Sequence, residues 1–134
     1  EPVMTGQEVI ALQDASDEIR LDQGLVDYVI ALATATRDHE DIQVGISPRG
    51  ALAITQAAKA TALMQGRDYC VPQDVFDMAP DVLRHRLVLS YEALAAELDV
   101  EHVLLRILST IPAPVVSPTT QDPARWSERE FRPS

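Results

Sequence analysis

The chain holds one cysteine, one lysine, five glycines and six aromatic residues in 134 positions, and each shortage removes a class of protein. A lone Cys70 permits no internal disulfide and supplies no cysteine-rich zinc site, which fits a reducing compartment, so the cytoplasm is expected. With Lys59 the only lysine and a net charge of −10, a phosphate backbone would be repelled and no basic stripe exists to release its counterions. No nucleic acid is expected as a partner. No apolar run approaches the roughly 18 to 20 residues of a membrane span, and Glu1-Pro2-Val3-Met4 lacks a basic region followed by an apolar stretch. No span, signal peptide or anchor is expected. Few aromatic residues beside nine prolines argue against a sandwich or barrel. The phosphate loop Gly-x-x-x-x-Gly-Lys-Ser/Thr, the dinucleotide turn Gly-x-Gly-x-x-Gly and the nucleophile elbow Gly-x-Ser-x-Gly are all missing. His39, His85 and His102 lie far apart and form no His-Glu-x-x-His motif, so no metal site is expected. Cys70 has no basic residue immediately beside it and reads as a small buried hydrophobe, not a catalytic thiol. The carboxylate-rich stretches at Asp14, Asp17 and Glu18 and at Asp38, Glu40 and Asp41 read as solvated faces.

What is present reads as one helical domain. At 24% charged and 46% hydrophobic residues the composition is globular, and this length buries a core without cross-links. Residues 1–111 hold 18 acidic and 8 basic residues, hence the whole negative charge, while residues 112–134 hold five of the nine prolines and no glycine. The first part is read as the folded domain. The second is read as a flexible or extended tail, with Trp126 and Phe131 its only large apolar anchors.

Local signals place the helices. Thr5-Gly6-Gln7-Glu8 fits a capping box opening a first helix. A second starts near Asp22 and carries Leu25, Val29 and Leu32 on one face to about Arg37. Ser47 can cap a third, with Pro48 in the first helical position, where its missing N–H costs nothing. Its alanine-rich run permits close packing and closes at Gly66. A short helix begins at Val71-Pro72 and is expected to end at Pro80; Val82 to Arg86 forms a further turn before extended Leu87-Val88-Leu89. The last helix spans about Val100 to Ile111, capped by Asp99 and stopped by Pro112. The expected fold is all-α, a bundle of about five to six helices.

One residue is out of place electrostatically. Arg49 falls in the first turn of the Ser47-capped helix, where the positive end of the macrodipole favours anions. Two readings fit: a salt bridge to Asp41 or Glu40, or a guanidinium kept for a phosphate arriving from outside.

The segments Asp27-Tyr28, Ala35-Thr36-Arg37, Gly45-Ile46-Ser47-Pro48-Arg49-Gly50-Ala51-Leu52, Ala57-Ala58-Lys59-Ala60, Gly66-Arg67-Asp68-Tyr69, Pro72-Gln73-Asp74-Val75 and Leu83-Arg84-His85-Arg86-Leu87 recur in this order in one family. Through them residues 1–111 resemble the C-terminal helical lid of a MoxR-family AAA+ ATPase. The resemblance implies that Arg49 is the sensor 2 arginine, a catalytic group contacting the γ-phosphate of ATP. It implies that Ser47 and Pro48 aim Arg49, and that Ile46 touches adenine or ribose. It further implies ATP and Mg2+ in the complete protein, with the P-loop lysine, magnesium ligands, sensor 1 and arginine finger in a preceding core domain. This chain alone is therefore expected not to hydrolyse ATP. Ring assembly, usually a hexamer, and chaperone-like action on partner proteins, often ones with a von Willebrand factor A domain, belong to the same implication. Arg49 would serve its own nucleotide or that of a neighbouring subunit. Gly50 departs from the family's alanine and loosens the first turn by up to about 1 kcal/mol. The alternative is a non-catalytic acidic adaptor, in which Arg49 closes a salt bridge and the tail recruits a partner.

Overall fold

A computed structural model describes residues 2–116. Six helices are present: α1 (Gly6–Asp17), α2 (Gln23–Asp38), α3 (Pro48–Met64), α4 (Pro72–Leu83), α5 (Tyr91–Ala95) and α6 (Val100–Thr110). Two short strands, β1 (Ile42–Val44) and β2 (Val88–Leu89), pair antiparallel, with Ile42 opposite Leu89 and Val44 opposite Val88. The tail residues Trp126 and Phe131, like all of 117–134, lie outside the described residues.

The caps form where the side chains can make them. Thr5 accepts from the Glu8 amide at 3.3 Å while the Glu8 carboxylate accepts from the Thr5 amide at 2.7 Å, a reciprocal pair that satisfies two orphan donors. The Thr5 amide and, at 2.9 Å, the Thr5 hydroxyl both donate to that carboxylate and lower the Glu8 pKa. Asp22 accepts from the Gly24 amide at 2.9 Å to start α2, and Gly66 takes a φ of +74° just past α3, a conformation that costs glycine little.

The expected all-α bundle of five to six helices forms, and one expectation needs correction. Pro80 does not end α4, which continues through it to Leu83. The ring forfeits one bond, to the carbonyl four residues back; buried Ala79 and Leu83 hold the turn on either side, and the Arg84 amide still donates to the Pro80 carbonyl. Within the all-α bundle the short β1–β2 pair ties the segment after α2 to the segment after α4.

The core lies along α3, whose most extensive partner is α4. The buried residues of α3, Gly50, Ile54, Ala58 and Ala62, recur every four positions, so they form one slanted row. Three of the four are small, which lets α4 approach with Val75, Ala79 and Leu83. From the other elements Leu25, Leu32, Val103, Leu104 and Leu108 complete the interior.

Cys70 is fully buried, and burial, reinforced by the Asp74 charge, pushes its thiol up to about 11. The folded value lies above the roughly 8.5 of an exposed thiol. Stability from this group is therefore complete below the unfolded value and falls as pH rises from about 8.5 through 11, because the native state then holds the proton that the unfolded chain has lost. The urea midpoint is expected to decline over that range and to decline less steeply in Cys70→Ala. Tyr28, raised by burial in the same direction, keeps part of the slope.

Candidate functional site

The site is the first turn of α3 and the loop that enters it. Ser47 is the N-cap, its hydroxyl accepting from the Gly50 amide at 3.2 Å, and Pro48 occupies the first helical position. The Ala51 amide donates to the Ser47 carbonyl. Pro48 has no N–H, so the Arg49 amide is the first-turn donor with no partner among the described residues. Sequence and structure agree on this cap because serine before proline satisfies the helix start locally, with no tertiary help.

Arg49 is exposed. No carboxylate among the described residues reaches it. Asp41, one salt-bridge candidate, faces Arg106 at 3.7 Å and His39 at 3.8 Å, and Glu40 makes no ion pair with Arg49. Most other described bases are engaged: Arg20 with Asp22, Arg67 with Asp74, Arg84 with Asp81 and Glu101. The start of α3 also differs from every other described helix start. Glu8, Asp22, Asp74, Glu92 and the Asp99–Glu101 pair put a carboxylate at the cap or first turn of α1, α2, α4, α5 and α6. At α3 an arginine stands there, a placement the macrodipole disfavours by about 0.3–1 kcal/mol.

Two further arginines reach the same turn. The Arg37 Nε donates to the Ile46 carbonyl at 2.9 Å. The Arg86 stem passes the α carbon of Gly50, where a Cβ would lie 3.6 Å from its Cδ, and its Nε donates to the Val82 carbonyl at 3.1 Å. Neither arginine was singled out by sequence reasoning as part of a site, although both lie in the quoted segments. Ile46 is 1% exposed. Its side chain fills the space beneath Gly50, where a Cβ would stand 2.9 Å from its Cγ2. The same contact gives glycine at position 50 a packing reason.

Arg67 and Asp74 form the most buried ion pair in the described fold, with Asp74 2% exposed. Sequence reasoning passed over this pair. It lies at the far end of α3 from Arg49, across the Gly66 turn, and its bonds to local backbone mark it as structural.

A free guanidinium at a helix start bare of acid can do one thing well, which is to bind an anion. The AAA lid domain family matches residues 34–107, more than half of the chain, and the chain belongs to that family. It is the lid region of a MoxR-like AAA+ ATPase. It is 41% identical over 128 residues to the chaperone MoxR1 of Mycobacterium tuberculosis, covering 89% of this chain and 34% of that protein. It is 36% identical over 115 residues to YeaC of Bacillus subtilis, covering 86% and 36%. The crystal structure of a candidate ATPase from Cytophaga hutchinsonii superimposes with a TM-score of 0.77 at 29% identity, covering 81% of this chain and 36% of that one. The chain thus spans about a third of the length of the curated relatives it matches. Among the described residues no helix is long and apolar enough to cross a membrane.

Proposed function

We propose that this chain is the sensor 2 lid of an ATP-hydrolysing, chaperone-like machine and that Arg49 contacts the γ-phosphate of ATP held by a core domain preceding the lid. One observation carries this reading: among the described residues Arg49 alone occupies an acid-free α-helix start, exposed and without a carboxylate partner, in a chain of net charge −10. Magnesium fits poorly at this turn, because no acidic residue stands in it, so its ligands belong to the core. ATP bound there supplies the phosphoryl group on which negative charge develops. Arg49 stabilises that charge, and Ser47 with Pro48 fixes the helix start that carries it. The nucleotide served is that of the same subunit or of a neighbour in a ring, a hexamer in this reading. Rigid movement of residues 1–111 then couples nucleotide state to remodelling or maturation of partner proteins in the cytoplasm, including ones with von Willebrand factor A domains.

The test is Arg49→Ala in the polypeptide that includes the core. ATP turnover is expected to fall about tenfold or more. Thermal unfolding of the variant lid is expected to stay within about 0.5 kcal/mol of the parent, as for an exposed side chain without partners. Unchanged turnover would falsify the sensor role, and a large stability loss would favour the adaptor reading.

A further inference from the structure

The peptide that precedes the Ser47 cap is held from both sides by one turn of another helix. The Ile46 amide donates to Thr36 Oγ1 at 3.0 Å, and the Ile46 carbonyl accepts from Arg37 Nε at 2.9 Å. Thr36 is fully buried and is itself oriented by donating to the Ala33 carbonyl at 2.8 Å. Gly45 completes the arrangement: a Cβ there would lie 2.7 Å from the Arg37 backbone nitrogen and 2.8 Å from its Cα. The loop therefore lies flat against the last turn of α2, and only glycine permits that approach.

A chain entering a helix ordinarily needs only the cap itself to fix its first turn. Here both polar groups of the residue before the cap are taken by two successive side chains, so the entry angle of α3 is set by α2 and not by the loop. We infer that Thr36 and Arg37 are positioning residues for Arg49, forming with Gly45 a clamp that fixes where the Arg49 guanidinium stands. This rests on the sensor reading above. It adds that the exposed arginine is aimed by a buried threonine thirteen residues earlier in the chain. Arg37, which keeps its Nε on the Ile46 carbonyl, acts through Arg49 and not on the nucleotide.

The experiment is a double-mutant cycle in the complete polypeptide, with Thr36→Val and Arg37→Ala each made alone and with Arg49→Ala. Each clamp variant alone is expected to lower kcat for ATP about three- to tenfold with KM for ATP moved less than about twofold, since misplacement spoils an interaction realised in the transition state. Thr36→Ser and Arg37→Lys, which keep an acceptor and a donor, are expected to restore most of the loss. In the Arg49→Ala background the clamp variants are expected to change kcat less than about twofold. An equal fold-loss in both backgrounds overturns the clamp while the sensor reading stands. Should Arg49→Ala itself leave kcat unchanged, the sensor reading falls and the catalytic role of the clamp falls with it. Amide hydrogen exchange reads the clamp without reference to activity: Thr36→Val is expected to speed exchange at Ile46, Gly50 and Ala51 about tenfold or more, with α4 to α6 unmoved. Unchanged exchange there also overturns the proposal. Arg37 is exposed, so Arg37→Ala keeps the cycle decisive if Thr36→Val fails to fold.

Discussion

Asp74→Ala is expected to cost the fold about 3–5 kcal/mol, the range for removing one partner of a buried ion pair. Its carboxylate accepts from both terminal nitrogens of Arg67, at 2.6 and 2.9 Å, and from the Val71 amide at 2.8 Å. Arg67 also donates to the Tyr69 carbonyl and to Gln65, and its guanidinium carbon stands 5.9 Å from the Tyr69 ring centre. One carboxylate thus closes the α3–α4 turn and caps α4. Val71 has no polar side chain, so Asp74 makes only half of a capping box, and nothing else on α4 replaces it. The Asp74 hydrogen bond pushes the Arg67 pKa up in the parent; without Asp74 the guanidinium still keeps its charge, because arginine does not deprotonate in a protein, and it is left unpaired. Urea denaturation at neutral pH measures the loss. Asp74→Asn, which can still accept from Val71, is expected to lose less. Equal losses from the two would mean that the charge, and not the cap, holds the turn.

The parts of this fold that sequence reasoning reached are those specified within one helical turn. Ser47-Pro48, Thr5 with Glu8, and Asp22 each satisfy helix amides by residues two or three positions away, and all three form. Apolar spacing likewise marks α2 because it buries one face. The elements missed are those that local spacing cannot encode. β1 has three residues, too few to show alternation; the two residues of β2 fall in the stretch expected to be extended, but the pairing itself joins segments more than 40 positions apart. Proline ordinarily ends a helix, yet at Pro80 one lost bond near the helix end is outweighed by the burial of Ala79 and Leu83. At the site, Arg49 was visible as an electrostatic misfit. Its freedom from acid was not, because that depends on Asp41 turning to Arg106, 65 positions away. Thr36 and Arg37 were visible only as a quoted motif; that they meet Ile46 follows from how the loop folds back at Gly45.

Ile54→Ala is expected to cost about 2–5 kcal/mol, in the upper part of that range, and to lower the melting midpoint by roughly 10 °C or more. Ile54 is fully buried and is the one large side chain in the row Gly50, Ile54, Ala58, Ala62. A cavity costs least where neighbours can collapse into it. Here the adjacent positions on the helix carry a glycine and an alanine, neither with atoms to spare. Leu52, on the same helix but 64% exposed, is the control: Leu52→Ala is expected to stay within about 0.5 kcal/mol of the parent. A large loss at 54 beside none at 52 would show that α3 is held by a narrow stripe against α4 and not by the helix propensity of its alanines. Comparable losses at both positions would refute that. If the stripe holds, α3 carries Arg49 at its start as a rigid arm seated on α4, with α1 and α2 packed against its other sides.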